Sequence, residues 1–201
     1  MKKINFGIVL IVITLILFIL FVIYEYKQKD KIKEVYNNYL TFHNKYSNLD
    51  NCNCNDDTKK YDNYLAKMKQ DLSYFVLSSS LDEIYGQYKD RLDKQFLKKF
   101  TVKEYEQTFI DFYSYKTDNS NIYVTAKNKR VNNISKNTQL NSEIVTNKSS
   151  VLKTLNIDEY IIFKKVGNDY KIVKNRFIGL IPTEDDLDDE FTFSPFGGLG
   201  I

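Results

Sequence analysis

His43 is the chain's one histidine, Cys52 and Cys54 are its only cysteines, and six carboxylates crowd into Glu184–Glu190. Each could do chemistry. An imidazole can serve as a general base near neutral pH, but a nucleophile must be presented to it, and no G-x-S-x-G elbow occurs in the sequence. Phosphate-cradling P-loop and G-x-G-x-x-G runs are also missing from the sequence. His43 falls on the apolar stripe of an amphipathic segment, so it is expected to be a packed or half-exposed helix residue. No catalytic residue, cofactor or metal site is predicted. Cys52-Asn53-Cys54 leaves several readings open. Two thiolates at this spacing supply half a zinc site, which would need carboxylates such as Asp56 and Asp57 or a second chain. They could instead form a redox pair, since a disulfide over so short a separation is strained and reducible. Pairing between chains outside the cytoplasm and two incidental thiols in a polar loop complete the set.

The acidic block invites a calcium reading, because hard cations take several oxygen ligands. It lacks the sixth-position glycine and the alternating ligands of an EF-hand loop, and a single-sign block is more often an extended tail. Phe191, Phe193 and Phe196 follow it, with a glycine-rich end. Such a peptide suits docking on a sheet edge or in a groove, with the phenylalanines as anchors and Asp185, Asp186, Asp188 and Asp189 as electrostatic steering. Folding back on its own domain is equally cheap. Opposite charge is abundant: Lys127, Lys129, Arg130, Lys164, Lys165, Lys171, Lys174 and Arg176 make the late part of the chain basic. Nucleic acid would be attracted non-specifically. Aromatics at strand period are more often core than stacking platforms, so no specific nucleic acid is predicted. Anionic envelope polymers, lipids or an acidic protein are the expected partners.

These groups are carried by a chain of 201 residues with a formal net charge of +3, 43% of it apolar. Seven glycines and two prolines exclude a collagen-like or linker-like chain. Thirty aromatic residues, 16 Tyr and 14 Phe, can build a core. Between Phe6 and Tyr24 no charge occurs, and Thr14 is the one clearly polar side chain. Nineteen helical residues at about 1.5 Å each span roughly the hydrocarbon layer, and a helix satisfies its own backbone there. No small-residue cleavage site follows and no cysteine closes the run, so it reads as an uncleaved anchor. Lys2 and Lys3 before the span and four lysines after it leave the positive-inside rule undecided; the short leading tail favours an extracytoplasmic domain. Setting aside Lys2, Lys3 and the six tail acids leaves 27 basic against 20 acidic residues, so the domain is basic and the tail acidic.

Three stripes at helical spacing follow the anchor. Ile32, Val35, Tyr36, Tyr39, Phe42, His43, Tyr46 and Leu49 continue it out of the membrane. After the polar 51–58 segment come Tyr61, Tyr64, Leu65, Met68, Leu72, Phe75 and Val76, then Leu81, Ile84, Tyr85, Tyr88, Leu92 and Phe96. Ser80 with Glu83 predicts a capping box for the third helix, and Thr101 with Glu104 a second box opening a short fourth helix or turn. From about Thr108 the period shifts to two, with a turn at 118–121. Residues 132–147 read as a loop around a weak strand at 143–146. The clearest β signal is 158–166 and 169–180 flanking Gly167-Asn168, a two-residue hairpin turn. Helices first and strands last define an α+β fold: an N-terminal transmembrane helix, then about three helices packed on a curved antiparallel sheet. The predicted organisation is a short cytoplasmic tail (1–5), the anchor (6–24), an extracytoplasmic domain (29–181) and the acidic, aromatic tail (182–201).

That order, and the closing DEYIIFKKVGNDYKIVKNRF, resembles the nuclear-transport-factor-two-like superfamily, a cone of helices on a curved sheet. With an N-terminal anchor the pattern over 32–181 is similar to the bitopic assembly subunit of type IV secretion and conjugation machines. The CNC loop and the acidic aromatic tail depart from it. The resemblance implies a non-catalytic scaffold or assembly subunit of a bacterial envelope complex, in contact with the bilayer, with other envelope proteins and with further copies of itself. The alternative is a ligand-binding module whose cone encloses a tyrosine-lined pocket.

Overall fold

A computed structural model describes residues 6–54, 57–97, 100–118, 120–140, 143–146 and 153–178. The chain divides into two units, residues 1–37 and 38–201. Helix α1 (Phe6–Lys45) begins in the first and ends in the second. Within the first unit its apolar side chains from Val9 to Tyr24 are exposed, and Thr14 donates its hydroxyl to the Leu10 carbonyl at 2.9 Å, hiding its one polar group. Among the described residues this is the one helix long and apolar enough to cross a membrane. Exposure all round is what lipid, not a protein core, accepts, and the helix fits a membrane anchor.

The second unit is α+β. The end of α1 buries Tyr39, Leu40, Phe42, His43 and Tyr46. A short 3₁₀ turn follows at Leu49–Cys52, capped by the Asn48 side chain, which accepts from the Asp50 amide at 2.9 Å. Asn53 closes it in the left-handed region at φ 53. Helix α2 (Thr58–Ser73) starts at Asp57, whose carboxylate accepts from the Lys60 amide at 3.1 Å, and buries Tyr61, Leu65, Met68 and Leu72. Helix α3 (Leu81–Phe96) buries Ile84, Tyr88, Leu92 and Gln95. Its Phe96 ring stacks on Tyr61 at 4.3 Å. The predicted capping box is not formed: Ser80 ends a 3₁₀ turn (Ser78–Ser80), and its side chain makes no cap hydrogen bond. That turn brings the chain into α3 already helical, leaving the hydroxyl no orphan amide to satisfy.

The strands are β1 (Phe100–Asp118), β2 (Asn121–Leu140), β3 (Glu143–Thr146), β4 (Lys153–Val166) and β5 (Asp169–Ile178). They form an antiparallel sheet in the order β1-β2-β4-β5, with β3 paired to the far end of β2. Two expectations change here. The second capping box does not start a helix, because Thr101 and Glu104 lie inside β1, paired with Ser135 and Asn133. Residues 132–140 are strand rather than loop, since pairing of 132–136 with β1 and of 137–140 with β3 overrides their weak local preference. The predicted 143–146 strand and the Gly167-Asn168 hairpin are both present. Gly167 has φ +61, a value glycine adopts without a Cβ clash.

Bulges explain why the period-two signal in β1 was blurred. Its register with β2 shifts between Val102 and Glu104, Phe109 and Asp111, and Phe112 and Ser114. Each extra residue flips the alternation, so the buried positions run Val102, Gln107 and Phe112 instead of sharing one parity. Ile110 and Tyr113, each inside a shift, are 48% and 60% exposed. At the other edge, the linker between α2 and α3 covers part of β5. Val76 forms a parallel bridge with Ile172, the Leu77 amide donates to the Ile172 carbonyl at 2.9 Å, and the Ile172 amide donates to the Phe75 carbonyl at 2.8 Å. That pairing blunts an otherwise open strand edge.

The bulge assignment is directly testable. Phe112→Ala should lower unfolding free energy by about 3–5 kcal/mol in denaturant titrations of the detergent-solubilised chain, whereas Tyr113→Ala one residue on should cost less than about 1 kcal/mol. Equal losses would mean that the parity is misassigned.

Candidate functional site

The helix-facing side of the sheet carries polar residues in the middle of an apolar core. Gln107 comes from β1, Asn128 and Arg130 from β2, Glu159 from β4 and Asn175 from β5. Asn175 is turned inward because the β4–β5 register shifts between Ile162 and Phe163, which flips the parity of β5 beyond Ile172. Facing them are Tyr39 and His43 of α1 and Tyr88 of α3, with Tyr105 of β1 alongside. Gln107, Asn128 and Glu159 are all at most 2% exposed.

Their hydrogen bonds form one connected chain. The Asn175 amide donates to the Tyr39 hydroxyl at 2.9 Å. In the arrangement where every hydroxyl both accepts and donates, Tyr39 gives its proton to the Tyr88 oxygen, 3.0 Å away. Tyr88 then donates to His43 Nδ1 at 2.6 Å. At the other end Gln107 Nε2 donates to a Glu159 carboxylate oxygen at 2.9 Å, and Asn128 Nδ2 donates to the same oxygen at 3.0 Å. This leaves Gln107 Oε1 as the acceptor for the Tyr105 hydroxyl at 3.4 Å and for Arg130 at 3.2 Å. Tyr105 can then only accept from His43 Nε2, at 2.7 Å. The imidazole is thus neutral with its proton on Nε2. Asn44 braces the arrangement by exchanging two bonds with the Gln107 backbone, at 2.9 and 2.8 Å.

Electrostatics agree with that protonation state. Burial, then the cations Arg130 and Arg91, hold His43 well below the usual imidazole range. Burial likewise raises Tyr39 and Tyr88 above the ordinary phenol value, so both keep their protons. Arg91 lies over the Tyr105 ring, 4.5 Å from its centroid. Both imidazole nitrogens are engaged by tyrosines, the Glu159 carboxylate stands two residues further along the chain, and Ser47 Oγ donates to His43's own carbonyl at 2.6 Å. Nucleophile, base and orienting acid are not in mutual contact.

The opposite face of the sheet is built differently. Outward positions on β4 are Asp158, Tyr160, Ile162 and Lys164. Across from Tyr160 and Ile162 stand Thr125 and Tyr123 of β2 and Arg176 and Lys174 of β5. The Tyr123 and Tyr160 rings are 6.5 Å apart, and exposed Tyr113 donates to Asp158 at 3.2 Å. A small apolar centre therefore lies among cations. Among the described residues Lys127, Lys129, Lys164, Lys174 and Arg176 have no salt bridge, the bridges lying on the helices and their flanks. The acids of this face are Glu104, Glu106 and Asp111 on β1, with Asp158 on β4 and Asp169 on β5; Lys164, Lys171, Lys174 and Arg176 outnumber the latter two, so the β4–β5 half is net positive. Arg130, counted with the basic patch from sequence, instead turns inward to Gln107; one residue of register decides its side.

Cys52 and Cys54 are joined to each other, their Cα atoms 5.1 Å apart, beside the Asn53 left-handed turn. No group of three or more potential metal ligands occurs among the described residues. Asp185, Asp186, Asp188, Asp189, Phe191, Phe193 and Phe196 lie outside the described residues. Gln107, Asn128, Glu159 and Asn175 escaped sequence reading; their one signal was a polar side chain within an otherwise apolar strand, and bulges concealed on which face it lay.

No protein-family model matches the chain, and no curated protein matches it in sequence. Among solved structures the chain is similar to the intermembrane space region of the chloroplast protein ARC6, at 9% identity and a TM-score of 0.48, over 76% of this chain and 97% of that one. At that level the likeness carries no argument about function.

A pH titration tests the network. Unfolded, His43 takes up a proton near pH 6.5; folded, it does so only at lower pH. Its contribution is complete above about pH 6.5 and is lost as pH falls toward the folded value, at up to about 1.4 kcal/mol per unit. Because His43 is the only histidine, thermal midpoints should fall between about pH 7 and pH 5 in the wild type, and His43→Gln should flatten that slope while lowering the whole curve. A wild-type curve that is flat or rises on acidification would contradict the neutral assignment.

Proposed function

We propose that this protein is a non-catalytic, membrane-anchored scaffold or assembly subunit of a bacterial cell-envelope complex, with conjugation or secretion as its setting and its α+β domain outside the cytoplasm. The observation that carries the reading is the outward sheet face, where Tyr123, Tyr160 and Ile162 sit among cations without ion-pair partners. An apolar centre with a charged surround is the build of a protein-binding surface. The exposed apolar stretch of α1 supports the anchor, and the Cys52–Cys54 pairing favours an oxidising compartment. The buried tyrosines support this reading over the tyrosine-lined pocket, because Tyr39, Tyr88 and Tyr105 spend their hydroxyls on one another's network and on His43. They support it over an enzyme for the same reason.

Two measurements check it. Protease added to intact protoplasts should digest the domain and spare the anchor; full protection would contradict the orientation. In membranes, cross-linking followed by affinity purification should recover a defined set of envelope proteins or further copies of the chain. Tyr160→Asp with Ile162→Asp should deplete that set about tenfold or more while helix content stays the same, because charges buried at an interface centre are costly. An unchanged set would overturn the assignment of this face.

A further inference from the structure

The cations of the β4–β5 half have a counterpart in the same chain. Strand β5 ends at Ile178, and Glu184, the first of six acids within seven residues, is only six residues further on. Phe191, Phe193 and Phe196 follow directly. The order is therefore acid block, then aromatics, just as the face offers Lys174 and Arg176 on the strand where the tail departs, and Tyr160, Ile162 and Tyr123 further in.

We propose that the tail of the same molecule, Glu184–Phe196, docks on the outward β4–β5 face, its acids against Lys174, Arg176 and Lys164 and its phenylalanines over Tyr160, Ile162 and Tyr123. The inference rests on the reading of this face as an interaction surface and adds its resident occupant. Reach allows it: at roughly 3.5 Å per extended residue the chain from Ile178 reaches Glu184 within about 20 Å, while neighbouring strands are only about 4.8 Å apart. Charge selects the half of the face, since the acids of β1 would repel the tail. Tethering selects the same molecule over a second copy, because a short linker holds the segment at an effective concentration of order millimolar. A partner must then displace the tail, so the tail sets a threshold for assembly.

The test uses the full-length protein in lipid nanodiscs, with a photoreactive phenylalanine analogue at position 193, and a mixture of isotopically heavy and light chains. The expected product is a cross-link within one chain to a peptide from 160–176. Lys174→Glu with Arg176→Glu should lower its yield about tenfold, and adding Asp185→Lys with Asp186→Lys should restore it. Heavy–light products, cross-links to the helices, or a yield indifferent to charge reversal would overturn the proposal. If those results came with continued loss of partners in Tyr160→Asp with Ile162→Asp, the tail docking would fall and the interface reading would stand. Loss of neither would remove both.

Discussion

A buried neutral imidazole has one proton to give and one lone pair to offer, and His43 has only protein groups with which to use them. This constraint orders everything around it. With the Asn175 amide nitrogen donating at one end and the Glu159 carboxylate accepting at the other, the direction that lets each tyrosine hydroxyl both accept and donate runs one way between them. The chain runs from β5 through α1 and α3, back to α1, and on to β1 and β4. It ties α1, α3 and β4 to the two outer strands of the main sheet, β1 and β5. Unlike apolar packing, which tolerates small slides, such a chain specifies one register, because breaking a link leaves a buried polar group without a partner.

Backbone irregularity makes the arrangement possible. A regular β1 would not place Val102, Gln107 and Phe112 on the same face, and a regular β5 would not place Ile172 and Asn175 together. Bulges re-aim these side chains, and in doing so divide the sheet into a helix-facing side joined by hydrogen bonds and an outward side of apolar and charged groups.

Sequence made the helices legible because their stripes are simple. Tyr61, Leu65, Met68 and Leu72 in α2, and Ile84, Tyr88 and Leu92 in α3, are the positions that periodicity marks and the structure buries. The closing hairpin was legible from Gly167-Asn168 between two β-rich runs. Strand β1 was read too late, because Thr101 and Glu104 mimic a helix cap and three register shifts dilute the alternation. Residues 132–140 are too polar to look like strand, and pairing with β1 and β3 makes them so. The sequence makes His43 a packed or half-exposed helix residue, but its partners Tyr88 and Tyr105 lie 45 and 62 residues away. No local pattern could connect Asn175 with Tyr39.

The two faces of one sheet differ in build: the inner one holds the domain together, and the outer one carries the apolar centre and its surrounding charges. The account turns on the direction of the hydrogen-bond chain through His43. The most direct measurement is a long-range ¹H–¹⁵N correlation spectrum of the single histidine in the folded, full-length protein near about pH 6. The account predicts one neutral imidazole, protonated at Nε2 and bare at Nδ1. A proton on Nδ1, or an imidazolium averaging with solvent, would contradict it.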